Sequence, residues 1–311
     1  MEILISGSSG FVGHHFVKRL LADGHNVTGV DKLFKPHTDS KFHAIVDDIR
    51  RYMAFYPADK FDLIIHCAAT VGGRLNLDGD PLGVATNLSV DSEFWNWIAK
   101  SHTKKRVVYF SSSAIYPPEL QTRRAYLSLN EALVDLDGQR FALPETTYGF
   151  AKFAGELLAK QAVEHHGVEA VIYRPFGGYG ETQDLTYPFP SIIQRVVNGD
   201  NPVIVWGSGE QERDFIHIDD VVEGVLSTYD KMPAGYTLNL GTGRGISFIG
   251  LAKLVCEIAG HKAVIEPDID KPEGVFSRVS DPYEMEQWFR PRITLEEGVA
   301  RALNALTPVP V

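Results

Sequence analysis

The sequence predicts an α/β fold in which a doubly wound parallel sheet is accompanied by a smaller C-terminal α+β lobe. Strand-like apolar runs alternate with helical patterns through the first half, and these runs are "EILIS", "NVTGVD", "HAIVDD", "FDLIIHCAA", "RVVYFSSS" and "VEAVIYRP". The runs are too uniformly apolar to be buried on one side only, so helices are expected on both faces of the sheet. A chain of 311 residues can bury a core of that size.

The pattern of predicted elements changes at about Thr182, where loops rich in proline, short strands such as "NPVIVWG" and helices such as "SFIGLAKLVCEIAG" begin. We interpret this change as a domain boundary. The sheet domain is predicted over residues 1–175, and residues 176–213 and 241–311 form the second lobe. The segment 214–240, with "HIDDVVEGVLSTYD" and "YTLNLG", is expected to return to the sheet domain.

Charge and cysteine content narrow the class of protein. The 30 basic and 40 acidic residues give a net charge of −10, which argues against nucleic acid or an anionic membrane as a main partner. Cys67 and Cys256 have no metal-ligand spacing, so no metal site is predicted and a reducing compartment is expected. The first residues read as a buried strand, and no apolar run approaches the roughly 20 residues of a membrane helix. We therefore expect a soluble, cytoplasmic protein.

A glycine-rich loop, "ISGSSGFVGHHFV", follows the first predicted strand. A loop for a nucleoside triphosphate would need a lysine and a hydroxyl after its last glycine, but His14 and His15 follow Gly13. In a Rossmann-type dinucleotide loop the glycines permit a tight turn, the approach of a pyrophosphate and close helix packing. The spacing G-x-x-G-x-x-G alone is also compatible with an ordinary turn, so the dinucleotide interpretation depends on its context.

Asp31 ends the second predicted strand, about 20 residues beyond the glycine loop, where a carboxylate can bind an adenosine ribose. A 2′-phosphate would be repelled there, so NAD is predicted in preference to NADP, although Lys32 and Lys35 lie nearby. Asp48 and Ile49, in "VDDIR", are candidates to flank the adenine, and an ordinary exposed turn is the alternative.

The helix "ETTYGFAKFAGELLAKQ" places Tyr148 and Lys152 four residues apart on one face. A free tyrosine has a pKa of about 10, and moving it to near 7 requires about 4 kcal/mol of stabilisation of the phenolate. A lysine ammonium and a positive nicotinamide ring together can supply this. Y-x-x-x-K also occurs by chance on many helices, so the pair needs support from elsewhere in the sequence.

That support comes from "VVYFSSSAIYP", a strand that runs into a serine cluster at the carboxyl edge of the predicted sheet. Open α/β sheets bind their ligands at this edge. Ser112 could hydrogen-bond a substrate hydroxyl beside Tyr148. The alternative is that the serines simply end the strand.

Taken together, these motifs resemble those of an extended short-chain dehydrogenase/reductase of the NAD-dependent nucleotide-sugar epimerase/dehydratase family. The resemblance covers the glycine loop, "HCAA", Asn87, the serine cluster, Tyr148 with Lys152, "YRPFGGYG" and "GSGEQERDFIHIDD", in the expected order. It implies that residues 1–175 bind NAD and that the second lobe binds a nucleoside-diphosphate sugar.

The resemblance also implies roles for individual residues. Tyr148 would be the catalytic base, assisted by Lys152 and Ser112. The implied NAD contacts are Gly7, Gly10, Phe11, Val12, Gly13, Asp31, Asp48, Ile49, Cys67, Ala68, Ala69, Asn87, Tyr148, Lys152 and Pro175. The implied substrate contacts are Ser112, Ser113, Tyr148, Gly177, Arg213 and Arg278, with the two arginines at the diphosphate because a guanidinium binds phosphate bidentately.

Some segments are similar to a subgroup of the family, and others depart from its pattern. "AATVGG", "SSSAIYP" and "KPEGVFSRVSD" are similar to stretches of GDP-fucose synthases and GDP-mannose 3,5-epimerases, which makes GDP as well as UDP a candidate nucleotide. Gly177 and Glu181 replace a frequent asparagine and proline of the family, so sugar contacts near that turn are open. The segment from Arg123 to Leu143 is interpreted as a loop adapted to the substrate.

The leading prediction is an NAD-dependent epimerase that inverts position 4 of the sugar through a transient 4-keto intermediate. A 4-ketoreductase or a dehydratase is the alternative within enzymes, and a non-catalytic dinucleotide-sensing protein is the alternative of another class. By the resemblance, Ala114 occupies the position of a cysteine in 3,5-epimerising relatives, and Thr182 occupies the position of a histidine in fucose synthases. Ser113 and Ala114 occupy the positions of an aspartate and a glutamate in 4,6-dehydratases. The residues found here favour hydride transfer at position 4 alone.

A homodimer is also predicted. The helix "VATNLSVDSEFWNWIAK" carries Phe94, Trp95, Trp97 and Ile98, which are too many large apolar groups for one buried face of a single helix. This helix and the Tyr148 helix would pair across a two-fold axis, as the resemblance also implies.

Overall fold

The structure is a computed structural model that describes residues 1–73, 79–124, 127–136 and 143–306. Parts of the predicted substrate loop 123–143, and residues 307–311 of the predicted second lobe, lie outside the described residues.

Strands and helices alternate along the described chain. The strands are β1 Glu2–Ser6, β2 Asn26–Asp31, β3 Phe42–Val46, β4 Leu63–His66, β5 Arg106–Phe110, β6 Glu169–Pro175, β7 Val203–Trp206, β8 Glu212–Asp214, β9 Thr237–Leu240, β10 Gly245–Ser247, β11 Ile265–Asp268 and β12 Ser277–Arg278. The helices are α1 Phe11–Ala22, α2 Ile49–Phe55, α3 Pro81–Ser101, α4 Thr147–His166, α5 Pro188–Val197, α6 Ile218–Thr228, α7 Phe248–Ala259, α8 Tyr283–Glu286 and α9 Leu295–Leu306.

A seven-stranded parallel sheet has the strand order β3-β2-β1-β4-β5-β6-β9. β1 pairs with β2 on one side and with β4 on the other, so the direction of winding reverses between β1 and β4. Ligands of open α/β sheets bind at such a switch point, beyond the carboxyl ends of the strands. The predicted doubly wound α/β class is confirmed. The last strand, β9, pairs in register with β6, so a segment late in the chain extends this sheet.

Each face of the sheet is covered by its own apolar core. On one face α1 and α6 bury Phe16, Leu20 and Val225 against β1, β4 and β5. On the other face α2, α3 and α4 bury a second cluster that includes Tyr52 and Phe94. This double burial is the reason that the strand sequences are apolar on both sides.

A third core lies among α5, α7 and α9, whose amphipathic faces meet around Phe189, Leu251 and Val299. Two small sheets accompany it, one with the order β10-β8-β12 and one that pairs β11 with β7. The carboxyl end of β8 leads through residues 215–217 into α6, which packs on the main sheet.

The apolar side chains of α3 correct one sequence argument. Phe94, Trp95, Trp97 and Ile98 are 1%, 3%, 9% and 0% exposed, so a single chain absorbs all four. The Trp97 indole also donates a hydrogen bond to the Tyr56 carbonyl oxygen at 2.8 Å. The expectation that these groups need a second subunit was wrong, because the sheet and α2 provide enough apolar surface. The homodimer stays a prediction that rests on the family resemblance.

Within the described ranges, none of the helices has the length and apolar character needed to cross a membrane. The same residues contain no cluster of three or more histidine, cysteine, aspartate or glutamate side chains arranged to hold a metal ion.

Candidate active site at the carboxyl edge of the sheet

The glycine loop between β1 and α1 is shaped by close backbone contacts. Gly7 has a φ of +73°, and a Cβ at this position would lie 2.8 Å from the backbone of Ala68. A Cβ on Gly13 would lie 2.1 Å from the Gly7 carbonyl oxygen. Gly10 caps α1 and brings no side chain to the first helical N–H groups, those of Phe11 and Val12. These groups are suited to an anionic ligand, so the loop fits a dinucleotide pyrophosphate.

Asp31, at the carboxyl end of β2, is held beside this loop. Its Oδ2 accepts a hydrogen bond from the Ser9 amide and its Oδ1 accepts one from the Leu33 amide, both at 2.9 Å. A carboxylate oxygen accepts more than one hydrogen bond, so both oxygens retain capacity for ribose hydroxyls. The position fits the adenosine ribose of NAD.

Asp48 and Ile49 lie at the start of α2. Asp48 caps the helix through the Arg50 amide and forms ion pairs with Arg50 at 2.7 Å and Lys32 at 3.0 Å. Its hydrogen bond with the Arg50 side chain holds the pKa of this carboxyl well below its usual range. Lys32 is therefore paired with Asp48. An adenine amino group bound to Asp48 would share that carboxylate with the cations of Lys32 and Arg50. Ile49 is buried.

The loop after β4 carries Cys67, Ala68 and Ala69. The Ala68 amide donates to the Ser6 hydroxyl at 3.3 Å, which ties this loop to the end of β1. Asn87 on α3 accepts from the Thr70 amide at 2.6 Å and donates to the Thr70 carbonyl oxygen at 2.9 Å. The Asn87 side chain thus holds the backbone of this loop in place at Thr70. Burial raises the pKa of the Cys67 thiol to about 12, so this thiol is protonated and unreactive.

Tyr148 lies in the first turn of α4, where the Thr146 hydroxyl caps the helix by accepting from the Gly149 amide at 3.1 Å. The Tyr148 side chain is hydrogen-bonded to Ser112. Close packing brings the two together, since a Cβ on Gly149 would lie 2.3 Å from the Ala114 carbonyl oxygen. The structure therefore places the predicted base and the predicted serine in contact.

The ionisation of Tyr148 reflects these surroundings. Burial raises the pKa of Tyr148 to about 12, the hydrogen bond with Ser112 lowers it, and the charge of Asp91 raises it. Ser112 also accepts from the Ala114 amide at 3.1 Å, which fixes its hydroxyl. Ser113 is buried, so its hydroxyl is less available to a substrate than that of Ser112.

Lys152 follows one turn after Tyr148 and is 2% exposed. Its ammonium lies 3.6 Å from Asp91 Oδ2 and 4.8 Å from the centre of the Tyr109 ring. Asp91 was not among the predicted site residues. Helical periodicity could have identified Asp91 from the sequence, since it follows Asn87 by four positions on α3 and so shares its face.

Asp91 is the centre of a buried polar network. It accepts a hydrogen bond from the Tyr109 hydroxyl at 2.6 Å and lies 3.1 Å from His66 Nε2. His66 Nδ1 is in turn 2.6 Å from the Ser6 hydroxyl. Burial opposes the charge of Asp91, but the charge of Lys152 and the hydrogen bonds outweigh it, so the pKa of Asp91 is lowered.

The two predicted diphosphate arginines lie side by side in the second lobe. Arg213 on β8 and Arg278 on β12 are register partners on adjacent strands, so their side chains leave the same face of the small sheet. Arg213 donates to the Glu212 and Val275 carbonyl oxygens at 2.7 and 3.0 Å. The structure thus places Arg213 and Arg278 opposite each other on adjacent strands, and their roles at a diphosphate stay predictions.

Arg278 also connects this lobe to α4, the helix that carries Tyr148. Its Nε donates to Gln121 Oε1 at 2.7 Å, and its Nη2 lies 3.3 Å from Glu145 Oε2. Glu145 directly precedes Thr146, the residue that caps α4. Neither Gln121 nor Glu145 was predicted, and their sequence context contains no pattern that would have identified them.

The turn after β6 contains Gly177 and Glu181, the two residues that depart from the pattern of the resembled family. β6 ends at Pro175. Gly177 has a φ of +37°, and a Cβ at this position would lie only 2.2 Å from the Asp214 carbonyl oxygen. Gly177 can therefore present only backbone groups to a ligand. Glu181 Oε2 lies 3.5 Å from His217 Nε2. The Thr182 hydroxyl lies 3.2 Å from His15 Nε2.

Comparison with known proteins agrees with this geometry. The family described as NAD dependent epimerase/dehydratase matches residues 3–241, more than half of the chain. GDP-L-fucose synthase 1 of Arabidopsis thaliana is 25% identical over 97% of this chain and 92% of its own. A probable UDP-glucuronate 4-epimerase of Rhizobium meliloti is 27% identical over 97% of this chain and 95% of its own.

Among solved structures, the UDP-glucuronic acid 4-epimerase of Bacillus cereus, in complex with UDP-glucuronic acid and NAD, superposes with a TM-score of 0.83. The match covers 98% of both chains at 23% identity, so it shows a shared fold. The family match and the dinucleotide loop together lead to one conclusion. The chain belongs to the NAD dependent epimerase/dehydratase family, and NAD is its cofactor.

Proposed function

We propose that this protein is a nucleotide-sugar 4-epimerase that inverts position 4 of a nucleoside-diphosphate hexose through a transient 4-keto sugar. The observation that carries the proposal is the contact between Tyr148 and Ser112, with Lys152 one turn away on the same helix. A base, a hydroxyl partner and a cation are thereby assembled at the edge of the sheet where NAD fits.

The cofactor is held by the first half of the chain. The N–H groups at the start of α1 would bind the pyrophosphate, Asp31 the adenosine ribose, and Lys152 the nicotinamide ribose. Bound NAD supplies a hydride acceptor that takes hydrogen from the sugar carbon and returns it. The loop braced by Asn87 would line the path of the dinucleotide.

The substrate is held by the second lobe. Arg213 and Arg278 are register partners on one face of the small sheet, and each offers a planar guanidinium group that can bind a phosphate of a diphosphate. Binding energy from the nucleotide, remote from the reacting carbon, would keep the sugar in the site while it turns over in its oxidised state. The relatives are named for GDP- and UDP-sugars, so both nucleotides are candidates.

Tyr148 is proposed as the base that takes the proton of the sugar 4-hydroxyl while hydride leaves the carbon. Ser112, hydrogen-bonded to Tyr148, would orient the hydroxyl. The reverse transfer to the other face of the sugar then gives the epimer without net consumption of cofactor. Ser113 and Ala114 follow Ser112, and neither residue type can remove a carbon-bound proton or expel water from the sugar.

The test is turnover in heavy water. Candidate GDP-, UDP-, CDP- and dTDP-sugars are first screened by thermal shift, since a ligand at 100 times its dissociation constant adds about 2.7 kcal/mol of stability. The stabilising sugar is then incubated with the NAD-loaded protein in heavy water, and the product is analysed by NMR.

The expected result is the 4-epimer, no net change in the nicotinamide spectrum, and no deuterium at positions 3, 5 or 6. Stoichiometric oxidation of added NADH would identify a 4-ketoreductase. Deuterium on any of those carbons would identify a dehydratase or a 3,5-epimerase and would contradict the proposal. Binding of NAD and sugar without turnover would instead identify a dinucleotide-sensing protein.

A further inference from the structure

Asp91 is a buried carboxylate whose charge acts on the proposed base, and the proposed reaction does not use it. It is 1% exposed on α3 and faces Lys152 on α4, Tyr109 on β5 and His66 on β4. A buried charge is costly unless it is paired and hydrogen-bonded, and Asp91 has both kinds of partner. Side chains from three neighbouring elements, α4, β5 and β4, therefore contact the single carboxylate of Asp91.

The order serine, histidine, carboxylate in this network is typical of hydrolases, but it cannot serve that purpose here. Ser6, His66 and Asp91 are 1%, 0% and 1% exposed, so a substrate does not reach the serine. Burial lowers the pKa of His66, which makes the neutral ring the stable form at neutral pH. The charges of the network are then one anion, Asp91, and one cation, Lys152.

Tyr148 interacts with Ser112, Asp91, Tyr109 and Tyr187, and Lys152 lies one turn further along α4. Ser112 follows β5, Tyr109 lies on β5, Asp91 on α3, Lys152 on α4, and Tyr187 precedes α5. Burial raises the pKa of both other tyrosines, so they are neutral. The charged groups in this region are Asp91 and Lys152, which lie 3.6 Å apart, and the charge of Asp91 raises the pKa of Tyr148.

We propose that Asp91 is a positioning residue of the base: it holds the Lys152 ammonium in the core and balances its charge, so that Tyr148 releases its proton less readily than it would without the Asp91 carboxylate. This inference rests on the proposed function only in taking Tyr148 as the base.

The test follows the ionisation of Tyr148 directly, by the near-ultraviolet absorbance of tyrosinate in the NAD-loaded protein. The chain has 12 tyrosines, so the titration of a Tyr148→Phe variant is subtracted in each background. In Asp91→Asn, compared with Asp91→Asn/Tyr148→Phe, the midpoint of Tyr148 is expected about one pH unit lower than in the wild type, a tenfold change in its dissociation constant. The acidic limb of the kcat/KM profile should move in the same direction.

Tyr109→Phe is the matched control. It removes one hydrogen bond from Asp91 but leaves the charge, so the midpoint of Tyr148 should not fall. If Asp91→Asn leaves the midpoint in place, or if both variants lower it equally, Asp91 has only a structural role and the proposal is overturned. If Asp91→Asn does not fold, Asp91→Ser, which is also uncharged, takes its place with the same expectation.

The two proposals fail separately in this design. A lowered midpoint in a protein that does not epimerise any sugar would contradict the proposed function and leave the role of Asp91 intact. Epimerisation with an unmoved midpoint would contradict the role of Asp91 alone.

Discussion

The proposed cofactor half and the proposed substrate half of the site are built from different chemical groups. The cofactor half is mostly backbone: glycines that leave no space for a Cβ, helical N–H groups, and the Thr70 peptide held by Asn87. The substrate half depends on long charged side chains, Arg213 and Arg278, which already have hydrogen-bond partners within the protein.

This difference indicates how each half responds to its ligand. A loop fixed by backbone contacts is preorganised and loses little entropy when the cofactor binds. Arg278 lies against Glu145 and Gln121, so a diphosphate has to compete with or join these partners. We therefore expect the cofactor half to be intolerant of small changes in shape, and the substrate half to respond gradually to changes in charge and hydrogen bonding.

The largest effect is expected at Tyr148, where the two halves meet. Tyr148→Phe removes the proton acceptor but keeps the ring, so turnover should fall by roughly two to four orders of magnitude. Binding of NAD and of the sugar nucleotide, followed by thermal shift, should survive. Turnover close to the wild type would show that another group is the base.

Gly13→Ala tests the rigidity of the cofactor half. The new Cβ would meet the Gly7 carbonyl oxygen, which is backbone and cannot move aside, so a loss of about 3 kcal/mol of unfolding free energy is expected. Urea unfolding and NAD titration measure the two effects. Gly178→Ala, where a Cβ meets nothing within 4 Å, should change stability by less than about 0.5 kcal/mol. Equal losses in the two variants would refute this explanation.

Arg278→Lys tests the graded response of the substrate half. A lysine keeps the charge but loses the bidentate fork, so KM for the sugar nucleotide should rise by about tenfold to a hundredfold while kcat changes little. Steady-state kinetics with saturating NAD measures KM and kcat separately. Arg301→Lys, at a half-exposed helical ion pair with Glu297, is the control and should leave both constants unchanged. A fall in kcat alone would place Arg278 at the reacting carbon instead of the diphosphate.

The smallest effect concerns the choice between NAD and NADP. Asp31 should make NAD bind at least about tenfold tighter than NADP, which corresponds to about 1.4 kcal/mol. Asp31→Asn should narrow this ratio, as measured by calorimetric titration of both dinucleotides at one ionic strength. Equal affinities in the wild type would mean that Lys32 or Lys35 binds the additional phosphate.

Local features of the sequence were sufficient to predict the glycine loop and the common helix face of Tyr148 and Lys152. A strand followed by "GSSGFVG" specifies a tight turn into a helix, because the positive φ of Gly7 and the close approach at Gly13 depend on residues only a few positions apart. The shared face of Tyr148 and Lys152 follows from helical periodicity. Uniformly apolar strands predicted the parallel sheet, since burial on both faces requires such a composition.

Contacts between distant segments were decided only by the tertiary structure. Packing of α3 on the sheet buried the tryptophans that had suggested a second subunit, and packing of α3 beside α4 brought Asp91 to Lys152. The pairing of β8 with β12 put Arg213 beside Arg278. Periodicity states which face of an element is apolar or polar but not which other element that face meets, because that choice depends on the combined shape of all the packed side chains.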